Sequence, residues 1–145
     1  MTENKTKLNN LPFENLEVGM EASLEKTIHA DDVAAFAKLS GDANPVHTDP
    51  DFAAQTQFGK PIAHGLHSAT FFSAIFGTML PGPGSVYISQ SLTFKRPVFV
   101  GDIVTATVQI QRIDVDKRRI LFRTLCRARQ RIAVDGEAEI YVPET

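Results

Sequence analysis

Residues 65–80, GLHSATFFSAIFGTML, contain no charged side chain, and this stretch decides the fold class of the chain. It lies inside a longer segment, residues 61–94, that contains no Asp, Glu, Lys or Arg. Residues that are apolar or small nearly all round are typical of a buried helix rather than a surface helix. The sequence Pro81-Gly82-Pro83-Gly84 ends the predicted helix. The stretch is shorter than the ~20 apolar residues that a membrane span needs, so we expect a core helix.

After this helix the hydrophobic pattern changes to the period of two that is typical of strands. Four strands are predicted near residues 86–94, 104–110, 120–128 and 138–142, with a bulge at Gly136. One long uncharged helix followed by about four antiparallel strands predicts an α+β fold, with the sheet curved around the helix. A helix that is apolar on every side needs more cover than one small sheet supplies. We therefore expect a second subunit, in a homodimer.

The segment before the core helix is more polar. A strand is predicted over residues 22–29 and a helix over residues 31–40, which Gly41 stops. Residues 42–48 are expected to form a loop, because Pro45 prevents continuation of the helix. A second short helix is predicted from Asp49-Pro50, where an N-cap residue is followed by proline.

Length and charge exclude several classes of protein. The chain has 145 residues, with 15 Lys and Arg against 17 Asp and Glu, and 43% of its residues are hydrophobic. These values predict one folded domain over residues 13–145, with residues 1–12 as a flexible N-terminal arm. A slightly acidic chain is not expected to bind nucleic acid, and no segment is expected to cross a membrane or serve as a secretory signal. A single cysteine, Cys126, excludes an internal disulfide framework and fits the reducing cytoplasm.

The residues that could carry chemistry lie in the predicted loop before the core helix. Asp42 and His47 are five residues apart on a chain that Gly41 and Pro45 bend. Such a loop can bring a carboxylate and an imidazole together around one water, and an imidazole can give or take a proton at neutral pH. The alternative is a structural loop in which the Asp and Asn side chains bond to their own backbone.

A second candidate feature is the start of the core helix at Ala63-His64-Gly65. The free N–H groups of a helix N-terminus can bind developing negative charge on an oxygen, and glycine lets a ligand approach the backbone. A catalytic metal is not expected. His64 and His67 lack the spacing of a zinc helix, and the loop from Asp42 lacks the glycine and the final glutamate of a calcium loop.

The run from Phe36 to His47, FAKLSGDANPVH, followed by five residues and Ala53, resembles the signature of the (R)-specific enoyl-CoA hydratases. These are MaoC-like dehydratases of the hot-dog superfamily. Further similarity runs through residues 61–65, 85–102 and 136–138. The resemblance implies a hot-dog fold, in which a curved antiparallel sheet wraps a long central helix, and a homodimer.

The resemblance also implies an activity, the reversible hydration of trans-2-enoyl-CoA to (R)-3-hydroxyacyl-CoA in fatty acid metabolism or polyhydroxyalkanoate precursor supply. By motif position, Asp42 activates the water, His47 delivers a proton to C2, and the Gly65 N–H binds the thioester oxygen. Asn44 braces the pair and Ser73 helps to orient it. The substrate is an acyl-CoA thioester, and the reaction uses no cofactor. From its place on the helix, Phe76 is expected to limit the depth of the acyl pocket.

Three other functions remain open. The same chemistry could act on (R)-3-hydroxyacyl groups carried by acyl carrier protein, or the chain could be a hot-dog thioesterase or a non-catalytic acyl-CoA-binding module. Residues 112–131 carry eight Lys and Arg against two Asp. We expect most of this charge to be solvated, with some of it available to CoA phosphates. His67 and Cys126 are predicted to be core residues, and Gln90 is predicted to pair with backbone.

Overall fold

The computed structural model describes residues 11–144, and across these residues one antiparallel sheet of six strands packs against a long helix. The sheet has the order β1-β4-β5-β6-β2, and β3 pairs with β6 beside β2. The strands are β1 (Glu21–Thr27), β2 (Val86–Gln90), β3 (Thr93–Phe94), β4 (Ile103–Asp114), β5 (Arg119–Ala128) and β6 (Arg131–Tyr141). The helices are α1 (Ala30–Ser40), α2 (Pro45–Thr48), α3 (Pro50–Ala54) and α4 (Gly65–Thr78), and a 3-10 turn covers Phe13–Asn15.

The uncharged stretch forms α4, and this helix lies against the sheet. It contacts β1, β2, β4, β5 and β6, so the sheet wraps around a single helix. Phe72, Ile75 and Phe76 on α4 are buried against the alternating apolar residues of the long strands, such as Phe122 on β5. The predicted α+β architecture is therefore confirmed. Within residues 11–144, no helix is both long enough and apolar enough to cross a membrane.

One face of α4 is not covered by its own sheet. Leu66 is 57% exposed, and Thr70, Ser73 and Ala74 follow it along the same exposed side. The neighbouring edge strand β2 also exposes apolar side chains, those of Val86, Tyr87 and Ile88. The sheet of a single chain thus leaves one side of this helix uncovered, and the homodimer stays a prediction. Residues 86–94 were predicted to bury one face, but Val86, Ile88 and Phe94 on that face are exposed and only Leu92 packs partly against the core.

Two local predictions were wrong. Residues 42–48 are not all loop, because Asn44 accepts a hydrogen bond from the Val46 N–H and Pro45 then starts the short helix α2. Gly136 is not in a bulge. It pairs in register with Thr124, and the irregularity in β6 lies nearer Ala133. Glycine is required at 136 because a Cβ there would collide with the backbone oxygen of Ser91.

The predicted N-terminal arm, residues 1–12, lies outside the described residues except for its last two positions. Leu11 packs against the hydrophobic core, and residues 12–16 lead into β1 through the 3-10 turn.

Candidate active site

The loop that carries Asp42 is shaped by hydrogen bonds to its own backbone. Helix α1 ends at Gly41, which has a φ of +83° in the left-handed region that glycine tolerates. The Asp42 carboxylate then accepts the Asn44 N–H through Oδ1 at 3.1 Å. The Asn44 side chain accepts the Val46 N–H at 3.2 Å and so caps α2. The structural role that was the alternative for this loop is therefore real, but it uses only one oxygen of Asp42.

His47 is held in one orientation by a backbone carbonyl. Its Nδ1–H donates to the Ile62 oxygen at 2.7 Å, since a carbonyl can only accept. This bond fixes the proton on Nδ1 of the neutral ring and leaves Nε2 free to exchange a proton. A second bond, from the Ile62 N–H to the Val46 oxygen at 3.3 Å, ties the two chain segments together. His47 is thus positioned by contacts that do not occupy its second nitrogen.

His64 joins this pair, although the sequence assigned no catalytic or metal-binding role to its side chain. Its Nε2–H donates to the Asp42 backbone oxygen at 2.9 Å and lies 3.9 Å from Oδ2 of the same residue. The His64 and His47 rings stack with centroids 3.8 Å apart. The Phe36 ring also contacts the His64 ring, with centroids 4.8 Å apart. The buried His64 therefore connects the Asp42 loop to the start of α4.

Gly65 is the first residue of α4, so its N–H has no partner within the helix. The position has no room for a side chain. A Cβ on Gly65 would lie 2.6 Å from Cδ1 and Cε1 of Phe94. The segment before it is fixed to the sheet side of the site by the Ala63 N–H, which donates to the Val98 oxygen at 2.7 Å.

These groups meet at one cavity of about 610 Å³. Asp42, His47 and Gly65, the three residues predicted to be catalytic, all line it. Its other walls come from the end of α1, residues 62–68 and residues 94–98, and most of them are apolar. An apolar chamber with a few converging polar groups is the usual form of a small-molecule site.

Three other predicted site residues lie away from the cavity. Asn44 caps α2 and is exposed. Ser73 is eight residues beyond Gly65, or ~12 Å along the helix, and faces the exposed side. Phe76 is buried in the core, where its ring meets Phe122 at 4.8 Å and Tyr87 at 5.2 Å.

The cavity is also lined by residues that were not among the predicted site residues. Lys95 and Arg96 line it, and they are the first charged residues after the uncharged segment. The sequence feature that could have identified them is their position directly after the uncharged segment 61–94. Ser68 lines it too, one turn into α4, and no sequence signal separated it from the other small residues of that helix.

The side chains of Asp42, His47 and His64 bring three potential metal ligand atoms within 4.8 Å of one another. Their geometry does not suit an ion. Two imidazole rings stacked at 3.8 Å with a 27° interplanar angle direct their in-plane lone pairs side by side instead of towards one point. The Nε2 of His64 also carries the proton that it donates to Asp42. The trio is better suited to proton transfer than to metal coordination.

Burial shifts the pKa of three groups outside the cavity lining. Desolvation lowers the pKa of His67, which stacks on Phe36 with ring centroids 5.4 Å apart. It raises the pKa of the Cys126 thiol to about 12, so this buried cysteine is not a nucleophile, as predicted. It also raises the pKa of Tyr87 to about 12. The Tyr87 hydroxyl donates to Gln90, whose amide reaches the Ser91 oxygen at 2.8 Å, as the sequence suggested.

Acidic residues from outside the segment partly neutralise the basic residues of 112–131. Four of the eight make ion pairs: Arg118 with Glu14, Arg119 with Glu139, Arg123 with Asp135 and Arg129 with Asp102. The side chains of Arg119, Arg123 and Arg129 are 41–56% exposed, as expected for solvated charge, whereas that of Arg118 is only 20% exposed. The positive charge in the cavity wall comes instead from Lys95 and Arg96.

Comparison with known proteins identifies the family of the chain. Residues 13–129 match the model of the MaoC-like domain. The chain is 48% identical over 131 residues to an (R)-specific enoyl-CoA hydratase of Rhodospirillum rubrum, covering 90% of this chain and 91% of that protein. It is 47% identical over 134 residues to a 3-hydroxybutyryl-CoA dehydratase of Methylorubrum extorquens, covering 92% of this chain and 85% of the relative.

The solved structures agree with the fold. The structure of the (R)-hydratase from Aeromonas caviae involved in PHA biosynthesis superposes with a TM-score of 0.88 at 49% identity, covering 90% of this chain and 99% of that one. This likeness confirms the hot-dog fold that the motif resemblance implied. With the family model spanning most of the sequence and the relatives nearly half identical to it, the chain belongs to the MaoC-like domain family.

Proposed function

We propose that this chain is a hydro-lyase that adds water reversibly to trans-2-enoyl-CoA and forms (R)-3-hydroxyacyl-CoA. One observation carries the proposal. A carboxylate, an imidazole with one free nitrogen and a helix N-terminal N–H line the same apolar cavity. Relatives nearly half identical to the chain bear the names of this chemistry.

In the proposed reaction, Asp42 accepts a proton from a water that it shares with His47. The water oxygen forms a bond to C3 of the substrate, and the C2–C3 double bond supplies electrons towards the thioester. The enolate oxygen is stabilised by the Gly65 N–H, where a donor of this kind is worth ~3 kcal/mol. The proton taken from the water then passes from Asp42 to Nε2 of His47, which delivers it to C2, so that both side chains return to their starting protonation states.

The defining experiment follows the loss of the conjugated enoyl-thioester absorbance with crotonyl-CoA. Asp42→Asn and His47→Ala are expected to lower kcat by orders of magnitude while the thermal transition stays close to that of the wild type. Asp51→Asn makes the same chemical change at an exposed carboxylate outside the cavity and serves as the matched control. Hydration by Asp42→Asn at the wild-type rate would exclude this mechanism, and an (S)-3-hydroxy product would exclude the stereochemistry.

We propose that the working unit is a homodimer, formed through the exposed face of α4 and the edge strand β2. This surface carries Leu66, Val86 and Ile88, all large apolar side chains left open by the single chain. Ser73 lies on the same face. In the proposed dimer, Ser73 would orient the catalytic pair of the partner subunit. Sedimentation equilibrium tests this directly: Ile88→Lys is expected to shift the mass towards the monomer, whereas Val115→Lys, at an exposed residue elsewhere, is not.

We propose that Lys95 and Arg96 bind the phosphates of CoA at the mouth of the cavity. Lys95 lies 3.8 Å from Asp135, and Arg96 donates to the Ile132 oxygen at 2.9 Å, so both are held near the opening while remaining exposed. Arg96→Ala is expected to raise KM for crotonyl-CoA more than KM for the crotonyl thioester of N-acetylcysteamine, which has no phosphate. An equal change for both would exclude phosphate binding.

A comparison of acyl carrier protein and CoA substrates identifies the carrier. Dehydration of (R)-3-hydroxyacyl groups on acyl carrier protein is the second candidate, because it uses the same three groups. Higher kcat/KM with the carrier protein than with CoA would favour it.

Phe76, packed between Phe122 and Tyr87, is proposed to keep the acyl pocket short, so that Phe76→Ala extends activity to longer enoyl chains. A cytoplasmic location agrees with the buried free thiol of Cys126.

A further inference from the structure

The start of α4 contains an unusual set of buried polar atoms. Within residues 11–144, the buried side-chain atoms without a hydrogen-bond partner are Nδ1 of His64, Nδ1 of His67 and Oγ of Ser68. Buried polar atoms are normally paired, so each of these exceptions needs an explanation. Ser68 is only 1% exposed, and the proposed mechanism makes no use of it.

Other hydroxyls of the same helix behave differently. Thr70 donates to the His67 oxygen at 2.6 Å, and Thr78 donates to the Ala74 oxygen at 2.7 Å. This bond to a carbonyl of the preceding turn is the usual way for a helical Ser or Thr to satisfy its hydroxyl. Ser68 does not make it. Its backbone oxygen accepts the Cys126 thiol at 3.5 Å, which fixes this turn of the helix against β5.

Ser68 also lies beside the proposed oxygen-binding group. It lines the cavity together with Gly65, which is three residues earlier on the helix. Residues three apart share a helix face, and Cα–Cβ bonds lean towards the helix N-terminus. The Ser68 side chain therefore leans over the turn that contains Gly65. Gly65 has no side chain, so no side-chain atom of Gly65 lies between the Ser68 hydroxyl and a ligand bound at the Gly65 N–H.

We infer that the Ser68 hydroxyl is a second donor to the thioester oxygen of the substrate, beside the N–H of Gly65. Rotation about one bond, χ1, turns the hydroxyl towards the cavity when the substrate is bound. Two donors on one oxygen hold the charge of the enolate better than one, and the surrounding walls of Ala63, Val98 and Val134 strengthen the interaction by excluding water. This inference rests on the proposed hydratase function, and it adds Ser68 to the groups that touch the substrate.

The test compares Ser68→Ala with Ser68→Cys, which keeps the volume but replaces the hydroxyl by a weak donor. With crotonyl-CoA, both variants are expected to lower kcat by roughly a hundredfold with KM nearly unchanged, the pattern of a lost transition-state donor. The Tm of Ser68→Ala is expected to stay level or rise, because the variant removes a buried hydroxyl that has no partner in the free protein. Thr78→Ala, on the same helix, controls for loss of a helical hydroxyl that bonds to backbone.

A spectroscopic measurement makes the test independent of turnover. Butyryl-CoA labelled with ¹³C at the thioester carbonyl cannot be hydrated, and its carbonyl stretch moves to lower frequency as donors polarise the bond. Binding to Ser68→Ala is expected to shift the band less than binding to the wild type. An unchanged band with kcat close to wild type would overturn the role of Ser68 while leaving the hydratase function intact. A fall in activity that follows a fall in Tm would show a structural role and would overturn it as well. Failure of the wild type to hydrate crotonyl-CoA would instead exclude the proposed function.

Discussion

Replacement of Gly65 by alanine tests whether the start of α4 is a ligand-binding surface or only a helix end. The backbone of Gly65 does not have a positive φ, so alanine is not strained there. The added Cβ would lie 2.6 Å from two atoms of the Phe94 ring. Carbon atoms prefer separations of ~3.5–4.0 Å, so the ring must move by about 1 Å.

The cost in stability is expected to be small. Overpacking costs ~1–3 kcal/mol, but Phe94 is 51% exposed and its ring can move into solvent. Alanine also favours the helix by up to ~1 kcal/mol over glycine. The net loss of about 0–2 kcal/mol corresponds to a fall in Tm of at most ~8 °C for a domain of this size.

The cost in activity is expected to be much larger. A methyl group on Gly65 is expected to hinder the approach of the thioester oxygen to the adjacent N–H, and loss of one such donor costs ~10²–10³ in kcat. We therefore expect kcat/KM for crotonyl-CoA to fall by about two to three orders of magnitude, measured from the enoyl-thioester absorbance. Gly77→Ala is the matched control, because a Cβ at that position of the same helix meets nothing within 4 Å.

The double variant Gly65→Ala/Phe94→Ala separates the two ways in which the methyl group could act. If displacement of the Phe94 ring causes the loss, removal of the ring restores activity. If the methyl group blocks the N–H, the double variant remains slow, and this is the result we expect. A Gly65→Ala enzyme that keeps most of the wild-type kcat/KM would refute the assignment of this N–H to the substrate oxygen.

Three further predictions concern stability. Burial lowers the pKa of His67, so this residue binds a proton more readily in the unfolded chain, and stability should fall as the pH drops below about 6.5. His67→Phe should reduce the dependence of Tm on pH between about pH 7.5 and 5. An unchanged dependence would contradict this. Asp102, 7% exposed in its side chain, accepts the Phe99 N–H and Arg129 Nε, both at 2.9 Å. Asp102→Ala should cost about 2–4 kcal/mol in urea unfolding and Arg129→Ala less than ~1 kcal/mol, and equal losses would argue against the backbone bond as the cause. Gly136→Ala should cost more than ~3 kcal/mol, because the methyl group meets backbone that cannot swing aside, and a wild-type Tm would show that the strands separate easily.

The sequence predicted much of the site because its determinants are local. The spacing from Asp42 to His47 and the turn residues around it specify a loop that bends on itself, and the hydrogen bonds of the loop run between residues two apart. The start of α4 was likewise visible from Pro61 and Gly65. The motif resemblance then identified the family, which the comparisons confirm.

The contacts that join distant segments were not visible in the same way. His64 meets Asp42 across 22 residues, and Lys95 and Arg96 reach the cavity from beyond the core helix. Phe76 shares a helix with Gly65, but the motif does not show that it lies three turns further along and packs against Phe122 on β5. Glycine is needed at 136 because the backbone of Ser91 lies close to it, and the alternating pattern of the sequence does not reveal this contact.

The uncharged segment 61–94 by itself determined that this protein has a core helix. Burying an unpaired charge is costly, so a helix that is enclosed on most sides must lack charged residues, as this one does. The alternation that follows it determined an antiparallel sheet, since only one face of each strand is apolar. The tertiary structure alone decided which face of α4 the sheet covers and which polar atoms of its first turn remain unpaired. Those outcomes depend on the register and curvature of strands far apart in the chain, so hydrogen bonds such as that of His64 exist only once the sheet has closed around the helix.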